Sequence, residues 1–226
     1  MTYPQTTILL LGAGELGSAF LPHLSALPNA HITIGIRSPS KYTHLQSPNI
    51  SLTAIDLTSP SLSLAKTFST YDILISATGF GADPSSVLKL AEEALLAGKI
   101  RKEQGKGKLW FFPWQWGVDY DVIGDGEGMM PLFGAQRDVR NLLRRKAEQS
   151  NVKWTVRVGG KQVQQEAWSI EHLKEELDSA PEDGIKKYRL VFARDGVWWE
   201  MSRTVNKALG MNMMDVETFT RSLFSR

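Results

Sequence analysis

The chain has 226 residues, 42% of them hydrophobic and 22% charged, with a net charge of +2. That length can bury a core as one domain, or one domain plus a small lobe, and so small a net charge does not by itself imply a polyanionic partner. With no cysteine, disulfides, thiolate catalysis and cysteine-ligated metals are excluded. The apolar run at 8–11 stops at Gly12, too short for a signal-peptide core or a membrane span, so the sequence reads as a soluble, cytoplasmic protein.

In chain order, short β-rich runs alternate with amphipathic stretches, the pattern of βαβ units and a doubly wound parallel sheet of Rossmann type. Strands are expected at 8–11, 32–36, 50–55, 72–77, 109–112 and 154–158. Leu16, Phe20, Leu24 and Leu27 recur at helical spacing, with Pro22 expected to kink or shorten that helix. Further helices are expected at 87–97 and 139–147. Residues 98–108 read as a basic, glycine-containing connection, and 119–131 as a long loop rich in glycine and acids. Past Gly160 the rhythm changes: 170–177 looks helical, 188–193 fits a strand or a helix, and 216–224 fits a terminal helix. The expected division is a nucleotide-binding domain over 1–159 and a smaller lobe over 160–226.

Gly12-Ala13-Gly14-Glu15-Leu16-Gly17 fits G-x-G-x-x-G directly after a strand and at the start of a helix. Gly12 would permit the tight turn, Gly14 the approach of a pyrophosphate, and Gly17 close packing of helix on strand. The helix N-terminus offers N–H groups and partial positive charge to phosphate. The second strand closes on Arg37, followed by Ser38 and Lys41, where an NAD site would carry an acid for the ribose 2′-hydroxyl. A guanidinium suits a 2′-phosphate, so the expected cofactor is NADP(H).

These residues, with Ala54–Leu57 (AIDL), Ile75–Phe80 (ISATGF) and above all Phe111–Asp121 (FFPWQWGVDYD), resemble the NmrA-like proteins. That group of atypical short-chain dehydrogenase/reductases includes isoflavone-reductase-like enzymes, and the resemblance points to its fungal branch. It spans about residues 6–159, with a weaker continuation over 161–193. It implies a Rossmann fold holding NADP(H) through Gly12, Gly14, Glu15, Leu16 and Gly17, with Arg37 on the 2′-phosphate. Asp56 and Leu57 would lie near the adenine. Ala77, Thr78 and Gly79 would run past the ribose and pyrophosphate, and Phe112 and Pro113 would reach the nicotinamide. Trp114, Gln115 and Trp116 would border a substrate pocket.

Two departures from the family accompany the resemblance. Gln136 stands where its reductases carry a catalytic lysine, and an amide can orient a carbonyl but cannot donate a proton as an ammonium can. The resemblance also implies that several tens of residues of the substrate-binding part are missing after Gly160. Nor is there a Tyr-x-x-x-Lys dyad: Tyr3, Tyr42, Tyr71, Tyr120 and Tyr188 are followed four residues on by Thr7, Gln46, Ile75, Gly124 and Phe192. Two functions stay open. One is an NADPH-dependent reductase of a small aromatic or carbonyl-containing substrate, with Gln136 the candidate catalytic residue. The other is a non-catalytic NADP(H)-binding redox sensor that signals to a protein partner.

Other signals point to plainer roles. The acids at 119–127 lack oxygen ligands at the calcium-loop positions filled by Ile123 and Met130. His23, His31, His44 and His172 have no metal-ligand spacing. The basic set Arg137, Arg140, Arg144, Arg145 and Lys146 reads as a solvated helix surface rather than a nucleic-acid contact.

Overall fold

The computed structural model describes residues 5–78, 83–115, 118–156 and 169–193. Six parallel strands form one sheet: β1 (Thr6–Leu11), β2 (Ala30–Ile36), β3 (Ile50–Ala54), β4 (Ile73–Ser76), β5 (Leu109–Phe112) and β6 (Val152–Trp154), in the order β3-β2-β1-β4-β5-β6. The order reverses between β1 and β4, so the chain leaves their adjacent carboxyl ends in opposite directions and opens a crevice there.

The helices are α1 (Glu15–Ser25), α2 (Ser61–Phe68), α3 (Ser85–Glu103), α4 (Tyr120–Ile123), α5 (Pro131–Lys146), α6 (Ile170–Ser179) and α7 (Gly184–Phe192), with a 3-10 helix at Pro39–Leu45. None among the described residues is long and apolar enough to cross a membrane.

Two compact units are present. The first comprises the described residues up to Trp114 together with Asp138–Val156. It holds the whole sheet, whose centre is formed by Ile8, Leu9, Leu10, Leu11, Ile32, Ile34, Leu74, Leu109 and Phe111, all at most 1% exposed. Burying each such side chain contributes roughly 1.5–3 kcal/mol, and the strands are apolar on successive residues because the sheet is covered on both faces. Trp110 departs from this pattern. It is 42% exposed, and the Lys153 ammonium from the neighbouring strand lies 4.6 Å from its ring centroid.

The second unit comprises Gln115–Arg137 and the described residues beyond 157. Its core gathers Val118, Tyr120, Ile123, Phe133 and Val191. Phe133 meets both Tyr120 and Phe192 edge to face, at centroid separations of 5.3 and 5.7 Å. Ser169 and Asp183 cap α6 and α7 by accepting hydrogen bonds from backbone N–H groups of the first turn.

Several local expectations change. The helix expected at 87–97 runs on to Glu103, taking in part of what reads as a connection. Gly98 lies inside it because a Cβ there would stand 2.2 Å from the Ser150 carbonyl oxygen; the contact with the 150–152 turn outweighs the low helix propensity of glycine. The helix expected at 139–147 begins earlier, at Pro131, and α4 interrupts the expected loop, capped by the Asp119 carboxylate. The sixth strand is Val152–Trp154, earlier than 154–158. α1 continues through Pro22 to Ser25; the proline lies in the last turn, where one missing N–H disturbs little of the helix. Residues 188–193 are helical as far as Phe192. The expected terminal helix at 216–224 lies outside the described residues.

Candidate functional site

All six strands point the same way, so the residues that follow β1 to β5 emerge at one edge of the sheet. The register brings them level: Leu11 pairs with Gly35 and with Ser76, Ile36 with Ala54, and Ile75 with Phe112. Gly12, Arg37, Asp56, Ala77 and Pro113 therefore share that edge within the first unit.

The glycine turn is built by three different constraints. Gly12 has φ +97°, a conformation L side chains rarely adopt, and a Cβ on it would lie 2.8 Å from the Ala77 carbonyl oxygen. Its N–H donates to the Gly35 carbonyl at 3.0 Å, locking the turn to β2. A Cβ on Gly17 would stand 2.2 Å from the Gly12 carbonyl oxygen, so the helix meets the turn where only a hydrogen fits. Gly14 is the opposite case: it is exposed, and nothing lies within 4 Å of where its Cβ would be.

Gly14 also caps α1 without a side-chain hydrogen bond. Glu15 is exposed in the first turn and Leu16 half-buried. Beside the turn, the buried Thr78 hydroxyl has no hydrogen-bond partner among the described residues. An open approach at Gly14, a helix start without a side-chain cap and a buried hydroxyl awaiting a partner fit a pyrophosphate-containing cofactor.

Arg37, Ser38 and Lys41 are exposed just past β2, Lys41 within the 3-10 helix. The Ile55 N–H donates to the Ile36 carbonyl at 3.0 Å, which holds the end of β3 beside that of β2. Asp56 follows; its carboxylate accepts from the Thr58 N–H at 2.9 Å and the Thr58 hydroxyl at 2.8 Å. The Thr58 N–H, then the Thr58 hydroxyl, and to a smaller extent the charge of Arg37 hold the Asp56 carboxyl below the usual carboxylate range. Leu57 is half-buried, Ala77 buried and Thr78 half-buried. Phe112 closes β5, with Pro113 buried and Trp114 half-buried after it. Gly79 and Trp116 lie outside the described residues.

In the second unit, Gln115 and Gln136 are 0% and 1% exposed. The Gln115 side-chain amide donates to the Gln136 backbone carbonyl at 2.8 Å and to its Oε1 at 3.1 Å. The structure thus joins two residues that the sequence reading treats separately.

One residue beside this edge is missed by sequence reasoning. Lys89, on α3, donates from Nζ to the Leu57 carbonyl at 2.7 Å and the Ser59 carbonyl at 3.2 Å, and also to the carboxylate of Glu93. Glu93, one turn on in an otherwise apolar helix face, is a legible signal of a buried ion pair. The reach to residues 57 and 59 is not legible, because it depends on how α3 packs beside α2.

A six-stranded parallel sheet in this order, with a glycine-rich turn at its switch point, defines a Rossmann-type protein. No family model matches the chain. A curated NmrA-like family domain-containing oxidoreductase of Gibberella moniliformis is 35% identical over 162 residues, 66% of this chain and 49% of the relative. The chain is similar to that relative over this stretch and spans about half of its length.

Among solved structures, a putative NAD-dependent epimerase/dehydratase from Bacillus halodurans is similar in fold. Its TM-score is 0.50 at 14% identity, over 72% of this chain and 73% of that one. A Citrobacter sp. triphenylmethane reductase complexed with NADP(H) has a TM-score of 0.48 at 17% identity, covering 78% of this chain and 55% of that one.

Proposed function

We propose that this chain is an NADP(H)-binding oxidoreductase that reduces a small aromatic or carbonyl-containing substrate. The observation that carries the cofactor reading is the division of labour among three glycines: two that no side chain could replace, and between them one, Gly14, that faces open space. A turn needed only to reverse the chain would not require the middle position to stay clear. The oxidoreductase reading rests further on the likeness to the Gibberella relative.

In this reading the first turn of α1 and Gly14 receive the pyrophosphate, and Thr78 donates its hydroxyl proton to a phosphate or ribose oxygen. Arg37, with Ser38 and Lys41, receives the 2′-phosphate, whose oxygens match the forked donors of a guanidinium. Asp56 and Leu57 border the adenine, while Phe112 and Pro113 form an apolar wall for the nicotinamide. A reduced nicotinamide would supply the hydride, and the protein's part is to orient the substrate and exclude water, a task this reading assigns to Trp114, Gln115 and Trp116. Calorimetric titration with NADP+, NADPH, NAD+ and NADH tests the reading. Tight binding of the two phosphorylated forms is expected, and no binding of any of the four defeats it.

Gln136 favours a second reading. Its side chain is buried, its amide oxygen accepts from Gln115, and an amide has no proton to give at neutral pH. A redox-sensing regulator needs the cofactor site but no proton donor. NADPH oxidation against a panel of quinones, aldehydes and enones separates the two: turnover of any of them supports the enzyme, and tight NADPH binding with none supports the regulator.

A further inference from the structure

We propose that Lys89 is a positioning residue for the adenosine end of the dinucleotide site, acting through the loop that follows β3; the inference rests on the cofactor reading above. Lys89 is 37% exposed and Glu93 1% exposed. An ammonium has three donors, and here there are three acceptors: the carbonyls of Leu57 and Ser59 and the Glu93 carboxylate. Burial pushes the Glu93 carboxyl up, against the opposing pull of the Lys89 ammonium. An apolar pair at these positions would hold α3 in place at least as well, since desolvation offsets most of the attraction in a buried ion pair.

What an apolar pair could not do is grip two carbonyls of a neighbouring loop. That loop is short and doubly held. From within, the Asp56 carboxylate folds it by accepting from the N–H and hydroxyl of Thr58. From outside, Lys89 fixes the carbonyls on either side of Thr58. The ammonium charge also acts on Asp56, helping to keep its carboxyl ionised beside Arg37. With Lys89 in place, Asp56 and Leu57 meet an incoming adenosine in one conformation, and little ordering is left for binding to drive. Glu93 in turn anchors the ammonium from the apolar side.

The test measures 2′,5′-ADP, which carries only the adenosine end, and NADPH by calorimetry, at a temperature well below the melting point of each variant. Lys89→Met should weaken both ligands by about the same factor, roughly tenfold, the scale of a lost charged hydrogen bond. Lys89→Arg should stay within about threefold of wild type. A purely structural lysine would lower the melting temperature and leave the affinity of the folded protein unchanged. Wild-type affinity in a folded Lys89→Met protein therefore overturns the proposal. If that variant does not fold, Lys89→Gln, which retains a single donor group, takes its place and is judged by the same outcome. Should the wild-type chain bind neither ligand, the cofactor reading falls and the proposal with it, an outcome distinct from a mutant that binds normally.

Discussion

At the scale of single residues, the glycine turn separates stability from binding. Gly14→Val places a branched side chain in the open approach to α1, so circular dichroism should show an intact fold while dinucleotide affinity is lost. Gly17→Ala should do the reverse to the fold, because its Cβ would meet the Gly12 carbonyl at 2.2 Å; a loss of about 1–3 kcal/mol in urea unfolding is expected. Equal effects of the two changes on stability would contradict this assignment of roles. Arg37, exposed at the end of β2, is the second discriminating residue. Arg37→Glu removes a guanidinium and adds repulsion toward a 2′-phosphate, so NADPH affinity should fall by at least tenfold more than NADH affinity. Parallel losses for both cofactors would remove Arg37 from the phosphate site.

At the scale of elements, Arg101 and Asp72 tie the base of the sheet together. Arg101, near the end of α3 and 4% exposed, donates to the carbonyls of Gly107, Ser69 and Tyr71 and to the Asp72 carboxylate at 2.9 Å. Asp72 also accepts from the Thr7 N–H and hydroxyl, which joins the starts of β1 and β4. Partial burial opposes ionisation of Asp72, but the hydrogen bonds from the Thr7 N–H, Arg101 and the Thr7 hydroxyl outweigh it and hold the carboxyl below 3.8. A carboxyl depressed in the folded state adds stability above its unfolded value, and that stability is lost as the pH falls through the lower folded value. Urea midpoints should therefore decline on the acid side of about pH 3.8, and less steeply in Asp72→Asn. An unchanged acid slope in the variant would show that Asp72 is not one of the groups responsible.

At the scale of the whole molecule, binding and turnover make different demands. Dinucleotide binding as proposed draws on the first βαβ unit and the ends of the next strands, all of which lie in the unit that contains the sheet. Turnover also needs a pocket that holds substrate against the nicotinamide, where a misplacement of about 1 Å can cost 10²-fold. The chain spans about half the length of its curated relative. Because Gln136 offers no proton donor where a lysine is expected, we predict that this chain binds NADPH better than it turns anything over. Inserting the corresponding section of a full-length relative after Gly160 should raise activity and leave cofactor affinity nearly unchanged. Rapid turnover by the 226-residue chain as it stands would contradict this.

The parallel sheet and its glycine turn were legible in the sequence because their causes are local. Strands such as Ile8–Leu11 are apolar on every residue only if both faces are buried, and G-x-G-x-x-G answers to backbone geometry within six residues. The position of Arg37 just past β2 was legible for the same reason, since the end of a strand fixes where the next side chain emerges. Contacts distant in sequence were not legible. Gly98 sits inside α3 because residues 150–152 leave no room for a Cβ there, a fact of packing between segments some 50 residues apart. The reach of the Lys89 ammonium to the carbonyls of residues 57 and 59 emerges only when α3 is laid beside α2. That the Gln115 amide donates to Gln136 is likewise a matter of packing that neither residue shows in sequence. Residue type and spacing state which groups a chain owns, whereas only the folded chain decides which of them are desolvated, paired or left facing open space.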